Sequence, residues 1–296
     1  IMDEELAGLG FELKETRWYV PAERPELLRD MLRNMRTASD DGTPGTEDIE
    51  PHLPPLRMQL TKHEMEKYRW LGRQAGTAIG EVCRKATRAM TEEEVAGMLF
   101  AAMQRRSVKP TVLLVAADER ISKYRHPIPT ANKVKASLMI VLCARAWGLV
   151  CSVTRLVHFG KMPPELKGKH EAVCRVDAAM ITASRVNAPY VDAFERGKQA
   201  YGEQGYTLEW QKHHQGGPTG YIEREFTVNP DTPRGWKIAN GHAIAWNPSI
   251  SGTKSEDTIL VTIKGAEVVT TTPGWPVIKV ATGGRLLPRA DWLVKG

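Results

Sequence analysis

The sequence lacks most of the signals that would set it apart from ordinary globular proteins. Its four cysteines, Cys83, Cys143, Cys151 and Cys174, form no C-x-x-C pair, which argues against a zinc ribbon and a secreted disulfide scaffold. No apolar run approaches the roughly 20 residues that cross a bilayer, and no signal peptide opens the sequence. Neither a G-x-G-x-x-G loop nor a Walker loop occurs, so nucleotide binding has no support. We therefore expect a cytoplasmic globular protein without membrane contact.

The charge that is present is distributed unevenly. The 296 residues carry a net charge of +6, yet residues 1–50 hold 13 acidic and 6 basic side chains. The remaining residues hold 35 basic and 22 acidic side chains. Because the basic residues are scattered along the chain, we interpret them as a solvated surface and do not expect a nucleic-acid partner.

Composition divides the chain near residue 55. Residues 37–55 are rich in Ser, Asp, Gly, Thr and Pro, which predicts a linker. Before the linker, residues 1–20 suggest a strand-rich lead-in, and residues 21–35 suggest an amphipathic helix. We expect residues 1–55 to be an N-terminal segment and linker, the remnant of a larger region, and residues 56–296 to form one domain.

The pattern beyond the linker predicts helices first and strands later. Two capping boxes, Thr61 with Glu64 and Thr91 with Glu94, predict helices that extend to about residues 85 and 105. The other predicted elements are helices over 164–185 and 190–204 and strands over 111–115, 138–143, 221–228, 243–246, 258–263 and 267–270. This order predicts an α+β fold.

Five segments, in order along the chain, resemble active-site motifs of one superfamily, the creatinase, Xaa-Pro aminopeptidase and methionine aminopeptidase enzymes. Arg125-His126-Pro127 resembles the segment with the family's first active-site histidine. The other four are 138–155, 216–225, Asn247-Pro248 and 255–270, which resemble D-x-G…G-Y-x-S-D-x-T-R, G-H-G-I-G-L…H-E, E-P and E-D-T…G-x-E-x-x-T. The resemblance implies the pita-bread fold, a curved antiparallel sheet covered by helices, and a homodimer.

The family's metal ligands are mostly absent. Active peptidases of this superfamily hold two metal ions with two Asp, one His and two Glu. The resemblance places these five positions at Val141, Ser152, Gly217, Asn247 and Glu256. Only Glu256 keeps its ligand type. Because a pair of divalent ions needs several anionic oxygens, we expect no standard dinuclear site and no cofactor.

Relocated metal ligands remain an alternative. If the segment with His213 and His214 is extended, their side chains point to opposite faces, and at most one faces the former metal site. Cys143 and Cys151 are likewise expected on opposite faces of a hairpin. A site for a single metal ion, bound by relocated ligands, therefore remains a hypothesis.

The candidate site residues follow from the resemblance. Creatinase is a relative that works without metal, and it uses the histidine matched by His126 as an acid/base to cleave a C–N bond. We predict His126 and His214 as catalytic residues, because histidine titrates near neutral pH. The predicted substrate-binding residues are His213, Gln215, Tyr221, Arg224, Glu225, Asn247 and Glu256. Arg224 could bind a carboxylate, or it could form a structural ion pair with Glu256 or Glu225.

Three functions remain. The leading hypothesis is a metal-independent, creatinase-like hydrolase or lyase that acts on a small polar substrate bearing a carboxylate or an amide. The first alternative is a non-catalytic protein that binds peptides, proteins or nucleic acids, since the basic balance after residue 50 suits acidic partners. The second alternative is a metallopeptidase with relocated ligands. Under the leading hypothesis the partner is a small molecule or a peptide.

Overall fold

The computed structural model of this protein describes residues 6–17, 19–33 and 35–296. The chain divides into two units, Ile1–Pro54 and Pro55–Gly296. Among the described residues, no helix is long and apolar enough to span a membrane.

The N-terminal unit contains little regular structure. Its described residues form helix α1 (Glu23–Met31), which has no buried residue, a parallel pair of short strands, β1 (Ala38–Ser39) and β2 (Glu47–Asp48), and one turn of 3₁₀ helix, Glu50–His52. The expected strand in the lead-in is wrong for residues 6–17 and 19–20. These described residues form turns and coil and are mostly exposed, so no apolar face favours a strand there. The rest of that prediction lies outside the described residues.

The helices of the following chain are α2 (Leu53–Met58), α3 (Lys62–Lys85), α4 (Glu92–Gln104), α5 (Glu119–Lys123), α6 (Pro164–Ala183) and α7 (Tyr190–Glu203). Both predicted capping boxes are present at the starts of α3 and α4. In each, the threonine hydroxyl accepts from a backbone N–H of the first turn, and the glutamate carboxylate accepts from the threonine N–H. The predictions of α3 and α4 are therefore confirmed. The predicted helices over 164–185 and 190–204 are confirmed by α6 and α7.

The strands are β3 (Lys109–Ala117), β4 (Ser137–Ala146), β5 (Leu149–Phe159), β6 (Gly216–Thr219), β7 (Ala243–Trp246), β8 (Ser249–Ile250), β9 (Thr253–Lys254), β10 (Asp257–Thr262), β11 (Gly265–Val268), β12 (Val277–Thr282), β13 (Arg285–Ala290) and β14 (Leu293–Lys295). Two four-stranded sheets have the orders β14-β5-β4-β3 and β11-β10-β7-β6. Most neighbours within them are antiparallel, whereas β14 pairs with β5 in parallel.

The two sheets meet where β5 lies beside β10. The N–H of Thr154 donates to the carbonyl of Glu256 at 3.2 Å. The hydroxyl of Thr258 accepts from the N–H of Ser152 at 2.8 Å and donates to the carbonyl of Ser152 at 2.9 Å. A side chain thus supplies the hydrogen bonds that a neighbouring strand would make. This junction contains Ser152 and Glu256, two of the positions that the resemblance assigns to metal ligands.

Helix α3 packs closely against the chain that follows β11. A Cβ added at Gly72 would lie 2.3 Å from the carbonyl oxygen of Val269, and one at Gly76 would lie 2.2 Å from that of Thr271. Glycine therefore permits a contact between helix and backbone that any side chain would prevent. On the other sheet, α6 and α7 share a core with β7 and β10.

The predicted strand over 221–228 is wrong. These residues, all of which the structure describes, form bends and coil. The strand occurs earlier, at β6. Residues 225–228 fold back beside β6 with two backbone hydrogen bonds, from the N–H of Glu225 to Pro218 and from the N–H of Val228 to Gly216. Since Pro218 has no N–H to donate in return, a regular ladder cannot form at this edge.

Candidate active site

His126 lies in the loop between α5 and β4, and one buried carboxylate fixes this loop. Glu92, in the first turn of α4, is fully buried. Its carboxylate accepts from the N–H groups of Ala117 at 2.7 Å and Thr130 at 2.9 Å, which stand on either side of His126 in the chain. Arg120 Nε donates to the same carboxylate at 2.9 Å. A charged acceptor with several donors gives short, strong hydrogen bonds, so the loop is held at both ends.

Arg125 connects the His126 loop to the segment with the other two histidines. Its guanidinium donates to Ser251 Oγ at 3.0 Å and to the Glu209 carboxylate at 3.3 Å. Glu209 begins a 3₁₀ helix that ends directly before His213. The two charged side chains are only 17% and 13% exposed. This ion pair therefore clamps the two histidine segments together.

The imidazoles of His126, His213 and His214 form a cluster. His126 Nε2 lies 3.1 Å from His213 Nε2. The ring centroids are 4.9 Å apart for His126 and His213, 5.6 Å for His126 and His214, and 4.3 Å for His213 and His214. Both His213 and His214 contact His126, so the alternation expected for an extended segment does not separate their side chains. Strand β6 begins only at Gly216, so the alternation of side chains along a strand does not apply to them.

A buried carboxylate with two cations belongs to the same region. Glu256 pairs with Lys254 Nζ at 2.9 Å and with Arg224 Nη2 at 3.5 Å, and it accepts from the Thr154 hydroxyl. Burial acts to raise the pKa of the Glu256 carboxyl, but Lys254 and Arg224 outweigh it and hold that pKa below its ordinary value. Arg224 Nη1 also donates to Ser152 Oγ at 3.3 Å. The structural ion pair between Arg224 and Glu256 is therefore present.

The three histidines are neutral near pH 7. Burial, reinforced by the Lys254 charge, lowers the pKa of His213 to about 2. Burial and the Arg224 charge lower the pKa of His214 to about 4. Burial and Lys254 also lower the pKa of His126. A neutral imidazole has one donor and one acceptor nitrogen, so each ring can receive a proton or donate a lone pair.

Asn247 lies beside Gln215, which follows the two adjacent histidines in the chain. The N–H of Asn247 donates to the carbonyl of Gln215 at 3.1 Å, while Asn247 Oδ1 is buried without a hydrogen-bond partner among the described residues. The Gln215 amide donates to the carbonyls of Trp210 at 3.1 Å and His213 at 2.6 Å, and it accepts from the Tyr201 hydroxyl at 3.0 Å. Gln215 is thus occupied in supporting the segment with His213.

Tyr221 and Glu225, two further predicted residues, bond to other parts of the molecule. The Tyr221 hydroxyl donates to the Glu64 carboxylate at the start of α3. Glu225 forms an ion pair with Arg57 at 2.9 Å. The structure therefore brings together the three histidines, Arg224 and Glu256, and it engages Tyr221 and Glu225 in contacts with helices.

The sequence does not single out the residues that position the cluster. Glu92 follows the N-cap threonine of α4, where an acidic residue is already expected from the helix dipole. Glu209 and Arg125 are 84 residues apart in the chain, and no motif relates them. Lys254, next to the Glu256 carboxylate, resembles an ordinary surface lysine in sequence. Only burial distinguishes it, with 5% of its side chain exposed.

The residues at the assigned ligand positions do not fit a pair of divalent ions. Val141 and Gly217 carry no donor atom. A Cβ added at Gly217 would lie 2.3 Å from the carbonyl oxygen of Phe226, so backbone fills the space where a histidine side chain would begin. The Glu256 carboxylate is already paired with Lys254. Cys143 offers no charged donor either, because burial raises the pKa of its thiol to about 11. As expected, Cys151 is on the opposite face, since Cys143 pairs with Ser152 in the β4–β5 register.

Comparison with known proteins assigns the family. The sequence model of metallopeptidase family M24 matches residues 66–263, two thirds of the chain. The chain belongs to metallopeptidase family M24. No curated protein matches it in sequence.

Solved structures agree with this M24 assignment at the level of the fold. The chain is similar to prolidase from Pyrococcus furiosus, with 19% identity, a TM-score of 0.77, and coverage of 88% of this chain and 81% of that one. It is also similar to prolidase from Pyrococcus horikoshii OT3, with 17% identity, a TM-score of 0.76, and coverage of 84% of this chain and 78% of that one. A third similar structure is X-Pro aminopeptidase from Thermotoga maritima MSB8, with 16% identity, a TM-score of 0.75, and coverage of 96% of this chain and 81% of that one. The pita-bread α+β fold implied by the resemblance is therefore confirmed.

Proposed function

We propose that this M24 protein is a hydrolase of C–N bonds that works without the family's dinuclear centre. The observation that carries the proposal is the contact of 3.1 Å between the Nε2 atoms of His126 and His213. Two neutral imidazoles at this distance share one N–H···N hydrogen bond, and when His126 supplies the proton of that bond, its Nδ1 lone pair is available to accept a proton from water or substrate. His126 is the more exposed of the two and is therefore the one that meets substrate.

His126 acts as the acid/base in the proposed reaction. It accepts a proton from water as the water oxygen bonds to the carbon of the substrate, and it returns the proton to nitrogen as the C–N bond breaks. His213 orients the His126 ring, and His214 is the second proton-transfer group of the cluster. Arg224, whose side chain is 15% exposed, offers a guanidinium to a substrate carboxylate. The substrate class is thus a small amide, peptide or guanidino compound with a carboxylate.

The test is hydrolysis by chelator-treated protein of a panel that contains Xaa-Pro dipeptides, the substrates named for the similar solved structures, and small guanidino and ureido carboxylates. We expect turnover to persist in the presence of chelator. The His126→Ala variant should lose about 10²- to 10⁴-fold in rate, the range of a general acid/base. The matched control is His63→Ala, an exposed histidine at the start of α3, which should keep the wild-type rate.

Two results would refute the proposal. One is turnover that chelator abolishes and a divalent ion restores, because the reaction would then depend on metal. The other is a folded His126→Ala protein with the wild-type rate. Thermal unfolding of each variant separates a loss of chemistry from a loss of fold.

A non-catalytic binding protein is the second candidate, and one observation favours it. The pocket lined by His213, Ser249, Thr253 and Lys254 has a volume of about 10 Å³, room for about one water molecule. This cavity is therefore too small for a substrate. A rise in melting temperature with acidic peptides, without turnover of any member of the panel, would favour this candidate.

A further inference from the structure

The geometry of the histidine cluster is close to that of a single-metal centre. The ligand atoms of His126, His213 and His214 all lie within 4.8 Å of one another. Zinc binds imidazole nitrogen at about 2.0–2.1 Å, so tetrahedral coordination places two such nitrogens about 3.3–3.4 Å apart. The nearest pair, His126 Nε2 and His213 Nε2, is 3.1 Å apart. The third ring needs to approach by no more than about 1.4 Å.

The donor atoms are also poorly satisfied by protein. The Nδ1 atoms of His213 and His214 are buried and have no hydrogen-bond partner among the described residues. Buried polar atoms without partners are uncommon and costly. A metal ion bound through Nδ1 of His214 would use a lone pair that the fold leaves without a partner, whereas His213 would bind it through Nε2, the atom 3.1 Å from His126 Nε2.

We propose that His126, His213 and His214 form a site for one divalent ion of the class that prefers imidazole, such as Zn²⁺, Co²⁺, Ni²⁺ or Cu²⁺. Such an ion would share none of its three ligands with the five positions that the resemblance assigns to the family's pair. Three histidines with one open position is a known arrangement for zinc.

The surrounding charges specify what occupies the open position. Lys254 and Arg224 carry two positive charges, and Glu256 offsets one of them. Because the Glu256 carboxylate is already paired with both cations, it is not free to bind the hard ions that require carboxylates. The excess of positive charge favours an anion, such as hydroxide or a substrate carboxylate, as the fourth ligand of an ion held by neutral rings.

Metal binding has one consequence that rests on the proposed function. An ion that uses the lone pair of His126 prevents that ring from accepting a proton. We therefore expect the ion to inhibit the proposed hydrolysis rather than to support it.

The experiment is titration of chelator-treated, desalted full-length protein with Co²⁺ alone, followed by visible absorption and calorimetry. We expect one ion per chain and the ligand-field bands of cobalt bound to nitrogen. Loss of a ligand should weaken binding at least about 10- to 100-fold in His126→Ala and in His213→Ala. His126 is exposed, so its replacement keeps the test valid if the His213 variant fails to fold. His63→Ala is the matched control and should bind as the wild type does.

The outcomes separate this proposal from the proposed function. Equal binding by His126→Ala and His63→Ala would overturn the site. Binding that Glu256→Gln abolishes and the histidine variants retain would place the ion at the family position and also overturn it. Binding as expected together with faster hydrolysis by the cobalt-loaded protein would uphold the site and refute the proton-transfer role of His126. Hydrolysis with no cobalt binding would overturn the site and uphold the proton-transfer role of His126.

Discussion

Replacement of Gly217 by alanine tests whether backbone has closed the family's histidine position. The added Cβ would lie 2.3 Å from the carbonyl oxygen of Phe226, with Val228 Cγ2 and N each 3.3 Å away. Ordinary carbon–oxygen contact begins near 3.4 Å, so the overlap is about 1 Å. Because the nearest atom belongs to the backbone, a side-chain rotation cannot relieve it. Overpacking of this kind costs about 1–3 kcal/mol of the free energy of unfolding.

The assay is equilibrium unfolding in urea, together with thermal unfolding. For a domain of this size about 1 kcal/mol corresponds to roughly 2–4 °C, so we expect the melting temperature of Gly217→Ala to fall by about 2–12 °C. The matched control is Gly168→Ala, in the exposed face of α6, where an added Cβ meets no described atom within 4 Å. That change should stabilise by up to about 1 kcal/mol, because alanine is the better helix former.

The same steric argument extends to metal binding. Gly217→His would restore the family's ligand type, yet its Cβ meets the same carbonyl oxygen. We therefore expect it to lower stability and to create no new site for Mn²⁺. A Gly217→Ala protein within about 0.5 kcal/mol of wild type would show that the segment after β6 yields easily, and it would refute this reasoning.

Three further predictions concern buried charge and protonation. Arg289 contacts the carboxylates of Asp177 and Asp257 at 2.6 and 2.7 Å. Arg289→Leu leaves Asp177 without its cation and leaves Asp257 with Arg155 alone, and it should cost about 3–5 kcal/mol in urea unfolding; a loss below 1 kcal/mol would contradict this. Burial lowers the pKa of His242 to about 4, so its contribution is present above about pH 6.5 and is lost as the pH falls towards 4. His242→Asn should flatten the dependence of stability on pH in that window by up to about 1.4 kcal/mol per pH unit; equal slopes would count against it. Glu209→Gln removes the charge of the clamp and should cost about 1.5–3 kcal/mol. It should also remove the NMR signal of the imidazole N–H proton that His126 and His213 share. An unchanged signal would show that the ion pair between Arg125 and Glu209 does not position the rings.

Local patterns were sufficient for the long helices α3, α4, α6 and α7. Thr61 and Thr91, each followed three residues later by glutamate, predicted the starts of α3 and α4 because a capping box satisfies backbone donors within a single turn. Strand β6 escaped prediction for the opposite reason. Its sequence, Gly-Gly-Pro-Thr, has low strand propensity, and pairing with β7 across 24 or more residues of chain decides its conformation.

The candidate site was likewise predicted only in part. The resemblance in sequence selected His126 and identified the lost carboxylates at Val141 and Ser152, whereas His213 and His214 were selected as hydrogen-bonding side chains close to the assigned position Gly217. It did not predict that both neighbouring histidines would face His126. That arrangement depends on where β6 begins and on the contact between Arg125 and Glu209, neither of which is visible in a local window.

The sequence by itself therefore determined the long helices, the α+β class, the resemblance to the family and the chemical types of the site residues. These properties depend on short-range periodicity, capping and the identity of single side chains. Only the tertiary structure decided which residues meet: the cluster of three histidines, the burial of Lys254 against Glu256, and the backbone that closes the position of Gly217. Contacts between distant segments arise from sheet pairing and buried ion pairs, whose partners can be well over 100 residues apart, as Leu293 and Val157 are in the pairing of β14 with β5, and no local pattern encodes them.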